Sequence, residues 1–447
     1  MCDRLDSGEE EKSNNIVYHR FKKKLVESNY QINCRKCQQN SGKVLLQKKD
    51  VFCNDCLIDY CTKTFRQTLG KSRLIKTNDR ILVGFSGGLS SIALVDLIRR
   101  GLDEQQFQKL RFKPYLLFID ESILDNSEQQ PKSFLTKQLY EFICHHARID
   151  CYFISLQCCI NNDDLSQQMI HIQNSDDDTI TYENLQAFFQ ENNQSESAQR
   201  FLHLIERFHN PTSRYDFLKR FKLLILMKIA NHLNMDKVFV ASTLNELSID
   251  LINNISLGRG SLVPNEINFC DNRFGSKKLL RPLCELVNKE LAFYLKFRHL
   301  DHLVMKMDFF ASTRLPLKSS LHRLNEHFLT SISDEFPSTL HTVFKTGNKI
   351  QSTTTTVDNL RRRCKFCFCQ LENQSNNNDE YSSYDALKLT TILSKQSLND
   401  DDGDGKQKSA DDDDDQYCYS CKRLANEIND VNDDDDKFEQ FCILSID

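Results

Sequence analysis

The sequence predicts an α/β domain with a parallel sheet, flanked on each side by a four-cysteine module. Three observations support this fold class. From about Asp79 onward, short apolar runs alternate with segments of helical periodicity, a pattern typical of parallel sheets covered by helices on both faces. Pairs of C-x-x-C motifs stand before and after this region. Tracts rich in Asn, Asp, Gln and Ser interrupt the chain and are interpreted as low-complexity inserts.

The composition indicates an uneven distribution of charge. The chain has 447 residues and a net charge of -5, enough length for two or three domains. Between Lys12 and Lys76 there are 15 Lys and Arg against 4 Asp and Glu, whereas from Asp400 to Asp436 there are 15 acidic against 4 basic residues. A basic front end suits a polyanionic partner, although a solvated surface would have the same composition.

The apolar segments and the cysteine content indicate in which cellular compartment the protein is expected. No segment is as long and apolar as a membrane span, and the acidic first ten residues lack the apolar core of a signal peptide. We therefore expect a protein inside the cell, in the cytoplasm. In a reducing compartment, 18 cysteines favour metal ligation or buried thiols over disulfides.

The first cysteine module is predicted to be a zinc ribbon followed by a basic helix over 16–75, after a disordered segment over 1–15. Its ligands would be Cys34, Cys37, Cys53 and Cys56. Two C-x-x-C turns separated by fifteen residues can offer four thiolates to one tetrahedral ion. Four unrelated buried thiols are the alternative. Arg35, Lys36 and Lys43 lie on or beside the ribbon, where they could contact phosphates or only solvent.

The α/β domain is predicted over 76–335. Apolar runs predict strands at Ile81–Phe85, Tyr115–Asp120, Cys151–Leu156 and Lys237–Ala241. Helical periodicity predicts helices at Ser90–Arg100, Ser133–His146, Arg214–Leu233 and Leu244–Leu257, and a later one that contains Leu291, Tyr294 and Phe297. The polar stretch 161–197 is interpreted as an insert looped out of the domain, with a brief helix possible at Leu185–Phe189.

The loop between the first strand and the first helix is the candidate ligand site. Its candidate ligand-binding residues are Ser86, Gly87, Gly88, Ser90 and Ser91. Glycines that permit unusual backbone geometry, together with the free amides of a helix N-terminus, form a place where a phosphate can bind. The loop lacks the lysine and spacing of a Walker motif. A small-residue turn without a ligand is the alternative.

The second cysteine module is predicted over 336–447, with a disordered acidic insert over 373–416. Its ligands would be Cys364, Cys367, Cys418 and Cys421. The cost of closing a flexible loop grows only logarithmically with its length, so a long insert within a metal site is tolerable. Cys369 is the alternative ligand, and separate thiols are the alternative to a metal site.

These motifs together resemble those of known proteins. Ser86-Gly87-Gly88-Leu89-Ser90-Ser91 resembles the SGGxDS loop of the PP-loop ATP pyrophosphatases, which have a Rossmann-like fold. With the two cysteine modules and the runs Leu257–Gly260 and Arg281–Leu283, the chain is most similar to the cytoplasmic tRNA 2-thiolation protein 2 family. The resemblance implies a complex that transfers sulfur from a thiocarboxylated ubiquitin-like carrier to the wobble uridine of tRNA Lys, Glu and Gln.

Departures from the catalytic relatives imply that this copy is not itself the enzyme. Ser90 stands where those proteins carry Asp, and Ala241–Glu246 stands where they carry a GHNxDD-like stretch. They also use a C-x-x-C in the middle of the domain and a later cysteine, whereas no C-x-x-C occurs here between Cys159 and Cys364. We therefore assign no catalytic residue and interpret the loop as a vestigial nucleotide site. The isolated thiols are expected to pack in the core: Cys144, Cys151, Cys158, Cys159, Cys270 and Cys284.

The functional hypothesis is a subunit required for tRNA thiolation that forms a heterodimer with a catalytic paralogue. Two structural zinc ions are expected, while the sequence leaves ATP binding open. Arg259 and Arg281 are tentative tRNA contacts that could equally brace loops. The alternatives are a self-sufficient ATP-dependent tRNA sulfurtransferase and a non-enzymatic zinc scaffold that binds nucleic acid. No membrane association is expected.

Overall fold

A computed structural model describes most of the chain. The described residues are 33–46, 50–103, 109–124, 132–159, 165, 167–173, 181–305, 316–350, 363–371, 416–429 and 438–442. The predicted disordered segment 1–15 lies outside them, as does nearly all of the predicted acidic insert over 373–416. The contacts divide the chain into two compact units, Met1–Cys61 and Thr62–Asp447. The domain boundaries expected at residues 75 and 335 remain predictions.

The first unit contains a small antiparallel sheet. Strand β1 (Val44–Leu46) pairs with β2 (Asp50–Phe52), with Leu45 opposite Val51. Helix α1 (Asn54–Ser72) begins two residues after β2 and crosses the unit boundary. Val44, Leu46 and the inner face of α1 are buried. The predicted two-stranded ribbon followed by a helix is thus present.

The second unit is built on a seven-stranded sheet. Its strands lie in the order β6-β5-β4-β3-β7-β9-β8. They are β3 (Arg80–Phe85), β4 (Lys113–Asp120), β5 (Cys151–Ser155), β6 (Met169–Ile172), β7 (Lys237–Phe239), β8 (Cys270–Asp271) and β9 (Lys278–Leu280). The strands predicted from the sequence form the centre, where Val83 of β3 lies opposite Leu116 of β4 and Phe239 of β7.

The sheet is parallel at its centre, as the sequence predicts, and antiparallel at its two edges. The five strands β5, β4, β3, β7 and β9 run parallel, whereas β6 and β8 pair antiparallel to β5 and β9. Both edge strands are short, with four and two residues. Short strands without a continuous apolar run give no periodic signal in the sequence, and antiparallel edge strands are common on such sheets.

Helices cover the sheet and extend the unit at its C-terminal side. They are α2 (Leu89–Asp103), α3 (Lys132–Glu141, continued by a π-helical turn Phe142–Ala147), α4 (Tyr182–Asn193), α5 (Glu196–Glu206), α6 (Pro211–His232), α7 (Leu244–Ser256), α8 (Val263–Ile267), α9 (Asn288–Phe297), α10 (Leu321–Glu335), α11 (Thr339–Gly347) and α12 (Tyr419–Asn429). Local signals set several starts. Asn210 caps α6 ahead of Pro211, and Thr243 forms a capping box with Glu246 at α7.

Part of the predicted insert belongs to the domain, which corrects the interpretation of 161–197 as looped out. Strand β6 extends the sheet, and helix α4 buries Leu185 and Phe189. The Phe189 ring lies 6.1 Å from that of Phe118 and 6.2 Å from that of Phe153, between ring centroids. The stretch is polar because one face of α4 is solvated, while two apolar residues four apart suffice to dock it.

The C-terminal segments pack into the core of the second unit. Phe366 stacks on Phe217 of α6 with ring centroids 5.6 Å apart, and Phe441 meets Phe217 edge-on at 4.9 Å. Phe438 is fully buried beside them. Aromatic burial of this kind stabilises by several kcal/mol, on the order of 2 to 3 for each fully buried ring. No helix among the described residues is long and apolar enough to cross a membrane.

His322 illustrates how the C-terminal helices are fixed to α7. The Asn253 Oδ1 atom accepts a hydrogen bond from Asn325 Nδ2 at 2.7 Å, so its Nδ2 faces His322 Nδ1 at 2.5 Å. His322 Nδ1 is then an acceptor, which requires a neutral ring. Burial, with a contribution from the charge of Lys219, lowers the pKa of His322 to about 4. The ring also stacks on Tyr215, with centroids 3.9 Å apart.

The low pKa of His322 predicts acid-sensitive stability. Below its ordinary pKa of about 6.5 the unfolded chain binds a proton that the folded chain refuses until about pH 4, so stability falls as pH drops through this window. From pH 7 to pH 5 the wild type should lose about 2 kcal/mol more unfolding free energy than His322→Gln. Urea unfolding at both pH values measures the difference. Equal pH dependence of the two proteins would contradict this assignment.

Candidate functional site

The loop between β3 and α2 has the geometry of a phosphate cradle. Ser91 Oγ donates to Gly88 O at 2.9 Å, and the hydroxyls of Ser86 and Ser91 lie 3.3 Å apart. Helix α2 begins at Leu89, so its first amides point toward the loop. A positive helix end and free N–H groups favour an anion there.

The two glycines of the loop have different roles. Gly87 has φ of 70°, in the left-handed region that favours glycine. Gly88 has an ordinary φ, and a Cβ placed on it would meet only Ser86 Oγ at 3.5 Å. The sequence assigned conformational freedom to both residues, but only the backbone of Gly87 requires it.

A cavity of about 370 Å³ opens beside this loop. It lies beyond the carboxyl ends of β3, β4 and β7, where ligands bind in sheets of this kind. Ser86, Ser90 and Ser91 line it from the loop side. The three predicted serines are therefore brought together at one cleft, whereas Gly87 and Gly88 do not line it. The role of the loop in binding a nucleotide remains a prediction.

The cations that line the cavity are already paired with carboxylates of the protein. They are Lys219 with Asp250, Arg220 with Glu266 at 2.6 Å, Lys222 with Glu121 at 3.0 Å, Arg273 with Glu266 at 3.2 Å, and Arg281 with Asp271 at 3.4 Å. An entering polyphosphate would have to compete with these carboxylates. Its attraction to the cleft is correspondingly reduced.

The lining of the cavity contains no cysteine among the described residues. The segment after α9 returns to the loop, where the Met305 amide donates to Gly87 O at 2.9 Å. Met305 is buried and carries a thioether. The described lining thus offers no thiolate, which is the form of sulfur that acts as nucleophile or metal ligand.

The isolated cysteines behave largely as core residues, as expected. Cys151, Cys158, Cys159 and Cys284 are buried, whereas Cys144 and Cys270 are partly exposed. Burial raises the pKa of Cys284 to about 12, so its thiol is protonated and inert at neutral pH.

The first cysteine module forms a compact four-sulfur cluster. The Sγ atoms of Cys34, Cys37, Cys53 and Cys56 all lie within 4.8 Å of one another. Each C-x-x-C turn of a module is called a knuckle here. In the first knuckle, Cys34–Cys37, the Gln38 amide donates to Cys34 O at 2.8 Å, and Gln38 is in the left-handed region at φ 57°. Burial raises the pKa of Cys34, but the backbone amides of Cys37 and Cys53 outweigh it and lower the pKa to about 6. Such a thiol ionises readily for a metal.

The second module repeats this geometry. The Phe368 amide donates to Cys364 O at 3.0 Å, with Phe368 at φ 58°. In both modules the second C-x-x-C straddles a helix start: Cys53 precedes α1 and Cys418 precedes α12. The positive end of each helix stabilises the thiolates beside it.

The second module contains five neighbouring thiols rather than four. The mutually close set is Cys364, Cys367, Cys369 and Cys418. Cys421, predicted as the fourth ligand, also interacts with the thiols of Cys364 and Cys367. Cys369 is thus inside the cluster, as its sequence position allowed, and the choice of fourth ligand between Cys369 and Cys421 stays open.

The sulfur spacing suits a tetrahedral metal ion in both clusters. With metal–sulfur bonds of about 2.3 Å, the edges of a tetrahedron measure about 3.8 Å. The Sγ atoms of Cys37 and Cys53 are 3.9 Å apart, and those of Cys367 and Cys418 are 3.6 Å apart. Two cysteine clusters could therefore each hold a metal ion.

The predicted tRNA contacts fall into two groups. Arg35, Lys36 and Lys43 are exposed, and the first two pair with Asp50 and Asp59. Exposed pairs of this kind are weak, so a phosphate could displace the carboxylates.

Arg259 and Arg281 are only 2% and 4% exposed. Arg259 Nη2 donates to Asp216 at 2.6 Å, and Arg281 Nη1 donates to the carbonyls of Asn268 and Asn265 at 2.8 and 3.0 Å. A surface contact with RNA requires exposed guanidinium groups. This placement corrects that expectation and favours the alternative, in which both residues brace loops.

Comparison with known proteins gives the same family as the sequence motifs. A family model described as cytoplasmic tRNA 2-thiolation protein 2 matches residues 320–423. The protein of that name from Xenopus tropicalis is 28% identical over 409 residues, covering 82% of this chain and 77% of the relative. The one from Anopheles gambiae is 24% identical over 89% of this chain and 92% of the relative. The resemblance to this family is confirmed.

A solved structure supports the fold. The U34-tRNA thiolase from Methanococcus maripaludis with its 4Fe–4S cluster matches with a TM-score of 0.51 at 15% identity, covering 77% of this chain and all of that one. At this identity the match concerns the fold alone, and it supports the α/β fold predicted from the sequence. The cytoplasmic location expected from the sequence agrees with the name that the sequence relatives carry.

The lysine and arginine residues of α6 were missed by the sequence analysis. Lys219, Arg220 and Lys222 line the cavity, yet they sit in a helix that was recognised only by its apolar residues. Arg220 is 6% exposed within this helix. The sequence did contain a signal, because Arg220 lies on the apolar side of the helical pattern. A cation in such a position is rarely buried without a carboxylate partner, so it predicts a buried ion pair.

The loop geometry predicts unequal effects of two alanine substitutions. Gly87→Ala places a Cβ in the left-handed region and should lower the unfolding free energy by about 1 to 2 kcal/mol. Gly88→Ala is the matched control and should change it by less than about 0.5 kcal/mol, because its φ is ordinary and its Cβ meets no tight contact. Urea unfolding of the three proteins checks this, and equal losses would contradict it.

Proposed function

We propose that this chain is a non-catalytic subunit required for 2-thiolation of the wobble uridine in tRNA Lys, Glu and Gln. It acts in a heterodimer with a catalytic PP-loop thiolase. That partner takes sulfur from a thiocarboxylated ubiquitin-like carrier. The names of the relatives and the fold of the thiolase neighbour support this assignment.

The observation that carries the non-catalytic role is the chemistry of the cleft. Ser90 lines the cavity at the position where active loops carry an acid, and the described lining contains no thiol. Each lysine and arginine of the lining pairs with a carboxylate of the protein. Activation with ATP needs cations directed at phosphates, and sulfur transfer needs a thiolate or a cluster. The chain therefore depends on its partner for both.

The two cysteine clusters are proposed to hold structural zinc. Tetrahedral thiolate sites with closed coordination suit zinc, and zinc contributes folding free energy to small modules of this kind. In the first module the ion fixes a surface that presents Arg35, Lys36 and Lys43. We propose this surface as a tRNA phosphate contact, which would supply affinity without sequence choice.

Metal content provides the first test. The full-length chain should contain two zinc ions, and one after either Cys34→Ser with Cys37→Ser or Cys364→Ser with Cys367→Ser. Cys284→Ser is the control and should retain both, because this thiol is buried outside the clusters. Inductively coupled plasma mass spectrometry measures the stoichiometry. Iron in place of zinc, or metal loss in the control, would contradict the assignment.

The thiolation reaction provides the second test. We expect thiolated tRNA when the chain and its paralogue are combined with the sulfur carrier and ATP, and none when either subunit is omitted. Ser86→Ala with Ser91→Ala in this chain should leave the yield within about twofold, whereas the equivalent change in the paralogue should abolish it. Mercury-affinity gels of tRNA Lys, Glu and Gln report the yield.

The outcomes separate the alternatives. Thiolation by this chain alone would establish a self-sufficient enzyme. Loss of activity in the folded double-serine variant would show that the loop is used for chemistry. Normal thiolation without this chain, together with RNA binding by the chain alone, would favour a separate zinc scaffold.

A further inference from the structure

The strongest unexplained feature of the structure is Arg259. Its guanidinium is buried, with one contact from Nη2 to Asp216. The Nε and Nη1 atoms are also buried and have no hydrogen-bond partner among the residues that the structure describes. Leaving a buried N–H without an acceptor is unfavourable, so two such groups on one cation indicate a missing acceptor.

The loop that carries Arg259 packs directly on the second knuckle of the C-terminal cysteine cluster. Ser420 Oγ donates to Leu257 O. A Cβ at Gly258 would lie 3.4 Å from the Tyr419 ring. The guanidinium of Arg259 lies within electrostatic range of the sulfurs of Cys421 and Cys418. The sulfur atoms of these two cysteines are therefore the candidate acceptors for the Nε–H and Nη1–H groups of Arg259.

The buried charges around this loop do not balance without the cluster. Four guanidinium groups lie together with three carboxylates: Arg220, Arg259, Arg273 and Arg281 against Asp216, Glu266 and Asp271. Four minus three leaves one positive charge in this set. A divalent ion bound by four thiolates carries a net charge of about −2, so it would offset the surplus.

We propose that Arg259 is the outer-shell cation of the C-terminal metal site, donating Nε–H and Nη1–H to the sulfurs of the second knuckle, of which Cys418 belongs to the ligand set whichever of Cys369 and Cys421 completes it. This inference rests on the metal proposed for that cluster, and not on the role in tRNA thiolation. Arg259 is a positioning residue: it orients the sulfurs and compensates their charge, as outer-shell partners commonly do. The first knuckle has its own brace, because Arg273 Nη1 donates to Cys367 O at 3.0 Å.

Metal retention by the full-length chain tests the proposal. Arg259→Gln should weaken zinc binding at the C-terminal cluster by about 10- to 100-fold. The N-terminal cluster in the same molecule serves as an internal reference and should be unchanged. Chelator competition resolves the two sites, with Cys364→Ser plus Cys367→Ser identifying the C-terminal phase.

Asp216→Asn is the matched control for a purely structural effect. It removes the carboxylate that pairs with Arg259 but keeps the guanidinium. Zinc affinity of the C-terminal cluster should stay within about threefold of wild type, even though losing a buried charge partner destabilises the fold. If Asp216→Asn weakens zinc as much as Arg259→Gln does, the structural explanation holds and the proposal is wrong.

The absorption spectrum of the cobalt-substituted protein distinguishes a hydrogen bond from Arg259 to the thiolates from a purely structural role of this residue. Hydrogen bonds to thiolate lower the energy of the sulfur electrons, so losing them should shift the thiolate-to-cobalt charge-transfer band to lower energy. Arg259→Lys, which keeps the charge and is the milder variant if Arg259→Gln fails to fold, should show this shift. An unshifted band with unchanged affinity would overturn the proposal, as would a C-terminal cluster that binds no metal. Failed thiolation with intact metal binding would overturn only the proposed function.

Discussion

The second unit depends on a buried network of ion pairs centred on Asp216, Glu266 and Asp271. Arg220 donates from all three nitrogens of its guanidinium, reaching Asp216 at 3.1 Å, Glu266 at 2.6 Å and Asn254 at 3.0 Å. The network thereby joins helices α6, α7 and α8, and through Arg273 it reaches strand β8 and the first C-terminal knuckle. Removing one partner of a buried pair leaves an uncompensated charge and typically costs about 3 to 5 kcal/mol. The elements it joins are therefore held as one body.

The same network shapes the cleft. Arg220, Glu266 and Arg273 belong to the wall of the cavity as well as to the network, so the groups that would face a ligand are engaged in holding the fold. A cleft of this kind keeps a phosphate-type loop while its charged side chains are neutralised by partners within the protein. Ser86 and Ser91, by contrast, form their described hydrogen bonds with each other and with Gly88. The geometry of the loop therefore does not depend on the charged network.

The two cysteine modules reach one local geometry in different surroundings. In each, the residue after the second cysteine of the first knuckle is left-handed, and a helix begins at the second knuckle. The N-terminal module builds this on a small sheet of its own. The C-terminal module packs Phe366 into the core of the α/β unit and presents its second knuckle to the loop that carries Arg259. A metal there would stabilise the large unit as well as its own module.

The sequence by itself determined the central strands, the long helices, the phosphate-type loop and both cysteine modules, because each has a local pattern: apolar runs, helical periodicity, glycine beside serine, or cysteine spacing. The tertiary structure alone decided the edge strands β6 and β8, the docking of α4 and the burial of Arg259 and Arg281. It also brought Cys369 into the second cluster. These features depend on partners that are distant in sequence. The sequence does not show whether an arginine faces solvent or a buried carboxylate. The position of the loop after α7 against α6 decides that Arg259 faces Asp216.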